Sequence, residues 1–108
     1  MNQRDKMIQR NKIARLLEPS CRIHRNCIRL EFPQSKQHFM DICSKAYDLW
    51  IQGHSFYTEA KLGMKARADL LDLDDKIVWE SVFSETLASL ENKKKIWKEY
   101  DINVEVIV

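Results

Sequence analysis

The sequence predicts an α/β domain in which a small mixed β-sheet carries helices, in the order helix, strand, strand, strand, helix, strand from residue 35 onward. Two observations lead there. SKQHFMDICSKAYDLWIQG repeats its apolar residues Phe39, Ile42, Cys43, Ala46, Leu49 and Trp50 at three- and four-residue steps, the helical period. SFYTEAKL, RADLLDL and KIVWESV then follow as three β-rich runs separated by two short turns. An antiparallel meander that continues into a strand–helix–strand crossover requires a mixed sheet.

The elements can be taken in order. Residues 3–17 favour helix by composition, although Met7, Ile8, Ile13, Ala14, Leu16 and Leu17 do not gather on one face. Pro19 ends that helix, because it disfavours helical geometry in the residue before it. Residues 21–32 are expected to be extended around Ile23, Cys27, Ile28, Leu30 and Phe32, with Pro33 closing them. Ser35 can cap the main helix and Gly53 can stop it. Asp74 and Asp75 are expected to form a two-residue hairpin turn at positive φ. Ser84 can cap a last helix through Leu87, Leu90, Trp97 and Tyr100, and INVEVIV is a terminal strand.

At 108 residues the chain is read as a single domain, 1–108, with a basic N-terminal part (1–34) and an αβββαβ core (35–108). Charge divides along the same boundary. Residues 1–30 carry eight Lys and Arg against Asp5 and Glu18, and the remainder carries ten against fourteen acids. Arg4, Lys6, Arg10, Lys12, Arg15, Arg22 and Arg25 are therefore candidates for holding a nucleic-acid backbone; a solvated basic helix is the simpler meaning of such a run. No apolar leader or spanning run is present in the sequence, and three cysteines cannot all pair, so a reducing cytoplasmic setting is expected.

The chemistry is sought in the hairpin. Counting outward from Asp74-Asp75 pairs residue 72 with 77, 71 with 78, 70 with 79, and Asp69 with Glu80. Like charges directly opposite on a sheet destabilise it, and a bound Mg²⁺ or Mn²⁺ would remove the repulsion. Solvation of both acids is the plain alternative. Glu59 joins them if the Gly63 turn has three residues, which also brings Lys61 to that face; a two-residue turn sends both away.

With its Asp on the second core strand and Glu on the third, RADLLDLDDKIVWESV resembles the PD-(D/E)XK nuclease superfamily, which includes restriction endonucleases and archaeal Holliday-junction resolvases. The resemblance covers residues 35–108. It implies a restriction endonuclease-like fold and metal-dependent hydrolysis of a DNA phosphodiester, with Asp69, Glu80 and Glu59 on the metal. DNA is the implied partner ahead of RNA. A homodimer is expected whether the chain is a nuclease or an inactive module, because a core this small does not span both strands of a duplex alone. The family's lysine would fall at Val82. Lys61 is the substitute this reading favours, with Lys65 second. If neither serves, the chain is a catalytically inactive module that binds nucleic acid or a protein.

Three further features have plain readings. Cys21, His24 and Cys27 invite zinc, with His38 or Cys43 as the fourth ligand, but alternate residues of an extended segment face opposite ways, so two buried cysteines and a surface histidine are expected. Lys93, Lys94 and Lys95 suit the negative end of the last helix dipole, with phosphate binding as the alternative. Trp50, Trp79 and Trp97 are expected in the core.

Overall fold

Capping residues decide where the helices begin. In the computed structural model, which describes residues 1–30, 34–81 and 86–107, the Asn2 side chain accepts the Asp5 N–H at 2.8 Å and starts α1, Gln3–Ala14. Pro19 occupies the first turn of a four-residue helix, α2, Pro19–Arg22, where a missing N–H costs nothing. Ser35 accepts the His38 N–H at 3.0 Å and starts α3, Lys36–Ile51; Gly53, at φ +80°, turns the chain away from it. Thr86 caps α4, Leu87–Lys98. Ser84, the expected cap, lies outside the described residues.

Four strands, β1 Phe56–Leu62, β2 Ala66–Asp72, β3 Ile77–Ser81 and β4 Asn103–Ile107, form one sheet in the order β1-β2-β3-β4. β1–β2 and β2–β3 are antiparallel, while β4 returns through α4 to lie parallel to β3. The expected hairpin register holds at Leu70↔Trp79, Leu71↔Val78 and Asp72↔Ile77. Its turn is a four-residue one over 73–76 rather than a two-residue one. Asp72 Oδ1 accepts the N–H groups of Asp74 and Asp75 at 2.9 and 3.2 Å, and positive φ falls on Lys76 (+57°), not on the aspartates. Both loop lengths are even, so the register is unchanged.

The N-terminal segment departs from expectation. Residues 21–30 are not a strand: Glu18 O accepts the Cys21 N–H at 2.9 Å, Cys21 O accepts the His24 N–H at 3.1 Å, and the chain coils until Asn26. Proline at the start of α2 pre-sets the helical φ that begins this coil. Residues 27–30 then run beside β1, and residues 31–33 lie outside the described part. Asn26 both donates its N–H to Phe56 O and accepts the Phe56 N–H on Oδ1, at 2.8 and 2.9 Å. Thr58 Oγ1 bridges Arg29 N–H and Cys27 O, and Glu18 N–H reaches Lys61 O. The outer edge of β1 is thereby covered, which blocks unwanted strand pairing.

Helices lie on both faces. Ile13, Ala14, Leu17 and Cys21 join Leu90 and Trp97 of α4 over Tyr57, Ala60, Ala68, Leu71 and Val78. Ile42, Ala46 and Leu49 of α3 cover Phe56 and Leu70 on the other face, with Trp79 packed against them. Trp97 is buried, Trp79 is half-buried beneath the Lys45 ammonium at 3.7 Å, and Trp50, expected in the core, is 59% exposed. No helix among the described residues is long and apolar enough to cross a membrane.

Strict alternation fails once in β1 and once in β2, and the two failures face each other. Tyr57 and Ala60 lie in the same cluster although they are three residues apart, and so do Ala68 and Leu71. A strand keeps neighbours at even spacing on one face, so each strand carries one displaced residue between them. In β1 it is Glu59, at φ +49°, a conformation that costs a residue with a Cβ about 1–2 kcal/mol. Register sums place Glu59 across from Asp69, between the pairs Thr58↔Leu70 and Ala60↔Ala68.

Candidate metal centre

The strained position in β1 and its neighbour in β2 form the base of a buried polar cluster. The β1–β2 turn has three residues, since Leu62 pairs with Ala66, which brings Glu59 to Asp69. Above them stands His38, whose place on the inward stripe His38, Ile42, Ala46, Leu49 of α3 follows from the helical period. Its Nε2 lies 3.8 Å from Asp69 Oδ1 and 4.0 Å from Glu59 Oε1. One ligand atom from each of His38, Glu59 and Asp69 falls within 4.8 Å of the others, and all three residues are buried. An imidazole nitrogen and two carboxylates from three different elements are a donor set for a divalent cation of intermediate hardness.

Glu80 adjoins this group. Asp69 N–H donates to Glu80 Oε2 at 3.4 Å, and Ser81 N–H donates to Asp69 Oδ2 at 2.9 Å, so the expected meeting of Asp69 and Glu80 is found. The two acids are not left to repel each other. Lys93 Nζ, from the inward face of α4, lies 2.9 Å from Glu80 Oε1. The pair also divides its charge unequally. Burial pushes Glu80 up to about 9, with the hydrogen bond and negative charge of Asp69 adding to the shift and Lys93 opposing it. Burial would raise Asp69 as well, but its hydrogen bonds with Glu80 and Ser81 and the nearby His38 and Lys93 hold it below the ordinary carboxylate range. The two shifts run in opposite directions, favouring the proton on Glu80 and the charge on Asp69.

At the rim, Arg67 Nε lies 3.2 Å from Glu59 Oε2, with the Arg67 side chain 44% exposed. Gln34 Nε2 reaches Glu59 Oε1 at 3.3 Å, and Asp41 Oδ2 lies 3.4 Å from Ser81 Oγ. Lys61 is exposed and directly opposite Arg67 on the neighbouring strand. Lys65 is drawn elsewhere, to the Tyr100 hydroxyl at 2.9 Å. Val82, the position of the missing lysine, lies outside the described residues. Asp69, Glu80 and Glu59 are the acids expected from the sequence; His38 is expected there only as a fourth zinc ligand beside Cys21 and Cys27, Lys93 only as a dipole or phosphate cation, and Arg67 not at all.

The basic N-terminal residues separate into two groups. Arg10 holds Asp74 through Nε and Nη2 and also donates to Gly53 O; Arg22 donates to Leu17 O and Arg15 O; Arg25 donates to the Tyr57 hydroxyl and Asn11 Oδ1. Arg10 and Arg25 fasten the N-terminal segment to the hairpin turn and to β1, and Arg22 braces the segment internally. Arg4, Lys12 and Arg15 are exposed and Lys6 is partly so.

A second set of ligand-type atoms occurs at the far end of β2. His54 Nδ1 lies 3.0 Å from Asp72 Oδ2 and 3.9 Å from Asp75 Oδ2. Asp72 already accepts two turn N–H groups here, so the arrangement accounts for itself as a turn lock. Of the cysteines, Cys21 is buried, Cys43 half-buried and Cys27 exposed, the last against expectation, because Cys27 follows the coil rather than a strand. Comparison of the chain with known protein families, with curated proteins and with solved structures finds no match.

Proposed function

We propose that this chain is a divalent-metal-dependent phosphodiester hydrolase acting on nucleic acid, DNA ahead of RNA, built on a restriction endonuclease-like αβββαβ core. The observation that supports it is the buried convergence of His38, Glu59 and Asp69, with Glu80 alongside. His38, Glu59 and Asp69 are the residues that would hold the cation, and the imidazole among them favours Mn²⁺ over Mg²⁺. Such an ion supplies Lewis acidity toward a phosphoryl oxygen and acidifies a bound water.

The remaining roles belong to the chain itself. Lys93 is the ammonium nearest the acids and replaces Lys61 as the substitute for the missing lysine: it is fixed by Glu80, whereas Lys61 points into solvent at the rim. Arg67 and Lys61, facing each other across β1 and β2, offer a phosphate two cations at the mouth. Arg67 can exchange Glu59 for phosphate once Glu59 has another partner. Arg4, Lys12 and Arg15 extend the basic surface.

Calorimetric titration of the protein with Mn²⁺, followed by incubation with linear and branched DNA in Mn²⁺ or Mg²⁺, tests the reading. Binding that disappears in Asp69→Ala, together with cleavage that follows the same dependence, is the expected result. No heat of binding with either ion would refute the metal centre. Metal binding without cleavage of any DNA would favour the second reading, an inactive module, which Val82 supports.

A further inference from the structure

Helix α3 carries two apolar stripes where one suffices to pack it on the sheet. The inner stripe, His38, Ile42, Ala46 and Leu49, is buried. The outer one runs through Met40, Cys43, Tyr47 and Trp50 at spacings of three, four and three residues, the seam pattern by which one helix packs against another. Met40, Tyr47 and Trp50 are 52, 63 and 59% exposed, and Ile51, beside Tyr47 on the helix surface, is 63% exposed. Along one flank, Asn26, Ile28, Cys43, Ala46, Tyr47, Trp50 and Phe56 enclose a shallow hollow of about 300 Å³. The opposite flank is polar, with Gln37, Asp41, Ser44 and Asp48.

We propose that this face is the interface of a homodimer, in which α3 packs antiparallel against α3 of a second copy. The occupant is argued from area and from self-complementarity. Two large aromatic side chains about 60% exposed, with Met40, Ile51 and Ile28 beside them, present on the order of 500–600 Å² of apolar surface. That is most of the roughly 800 Å² each partner of a stable complex contributes, and it stands at the upper limit of what monomers leave uncovered. A two-fold interface must also fit itself, each feature meeting its counterpart on the other copy. Here the projecting aromatics and the hollow lie side by side on one patch. A two-fold axis through the middle of the seam sets Met40 against the partner's Trp50 and Cys43 against the partner's Tyr47, so that the sulfurs contact aromatic rings and the helix dipoles oppose.

Sedimentation equilibrium of the whole chain from about 1 to 200 μM tests this, with circular dichroism as the check on folding. The expected result is a mass twice the 12.9 kDa of the chain, reduced to the monomer in Trp50→Glu and in Tyr47→Glu while the melting curve of the monomer fold persists. A cysteine pair reads the geometry directly: Tyr47→Cys, made in a Cys27→Ser background, should form an intermolecular disulfide with Cys43 on mild oxidation, and adding Cys43→Ala should reduce it. A wild-type protein that stays monomeric throughout would overturn the proposal, leaving the stripe to another kind of partner. A dimer indifferent to both glutamate variants would overturn it as well, by placing the interface elsewhere. Neither outcome bears on the metal centre, because both variants lie outside it.

Discussion

The proton on Glu80 makes the stability of this domain a function of pH. Its folded-state value of about 9 stands above its ordinary 4.5, so between those limits the folded chain holds a proton that the unfolded chain has released. Stability then falls as pH rises: the contribution of Glu80 is complete below 4.5 and is lost as pH passes through 9. At 1.36 kcal/mol per pH unit the full interval is an upper bound of about 6 kcal/mol. Even a third of that, about 2 kcal/mol, lowers the melting temperature of a domain this size by roughly 10 °C. Asp69 works in the opposite sense and outside the interval, since its stabilisation is present above 3.8 and is lost only below it. Glu80→Gln keeps an acceptor for Lys93 and a donor for Asp69 but cannot ionise. Melting curves at pH 5, 7 and 9 in EDTA should therefore show the wild type losing stability steadily and the variant nearly flat, the two meeting near pH 5. Parallel curves would refute the reasoning, because they would mean that Glu80 is ionised in the fold and that Lys93 alone neutralises it.

Three other outcomes are expected. Lys93→Met should reduce any Mn²⁺-dependent DNA cleavage by about 10²-fold or more, as loss of a positioned proton-transfer or charge-stabilising group does, while calorimetric Mn²⁺ affinity changes little; the same assays on Lys61→Ala should show a smaller loss. Glu59→Gly should be more stable than Glu59→Ala by about 1 kcal/mol in urea unfolding, since only glycine adopts φ +49° without strain, and both should lose Mn²⁺ stabilisation. Arg10→Ala should cost about 1–3 kcal/mol by removing the charged hydrogen bonds that tie α1 to the hairpin, measured in the same unfolding experiment.

Much of this site could be read from the chain, and the parts that could not have identifiable reasons. Asp69 and Glu80 meet because an even-length turn preserves register whatever its length, and that constraint is local. Glu59 needed only the length of the Gly63 turn. His38 and Lys93 depend on how helices seat on the sheet, yet each left a trace. His38 continues the stripe of Ile42, Ala46 and Leu49 backward by one turn, and Lys93 sits three residues after Leu90 and four before Trp97, both buried. A polar residue in phase with a core stripe points into the core. Taken along the sequence, the lysine run suggests a dipole or phosphate role; taken around the helix, Lys93 alone shares the face of Leu90 and Trp97. Trp50 departs from expectation for the converse reason: α3 carries two apolar stripes, and Trp50 belongs to the exposed one. The coil over residues 21–26 was not foreseen because its apolar residues do resemble a strand, and Pro19 acted as a helix starter rather than only as a breaker.

The covering of β1 by the N-terminal segment changes what the basic residues there can do. Glu18, Asn26 and Arg29 donate backbone N–H groups to β1 residues, and Ile13, Ala14 and Leu17 sit in the core, so the first thirty residues form part of the rigid body rather than a tether attached to it. Arg4, Lys12 and Arg15 are consequently held at set separations, like marks on a ruler. A tether gains reach and adjusts to any path, but it must surrender its freedom when it binds; cations already in place surrender almost none. They also cannot follow a polymer whose phosphates run elsewhere, so the spacing of this surface selects among backbone trajectories before any base is read.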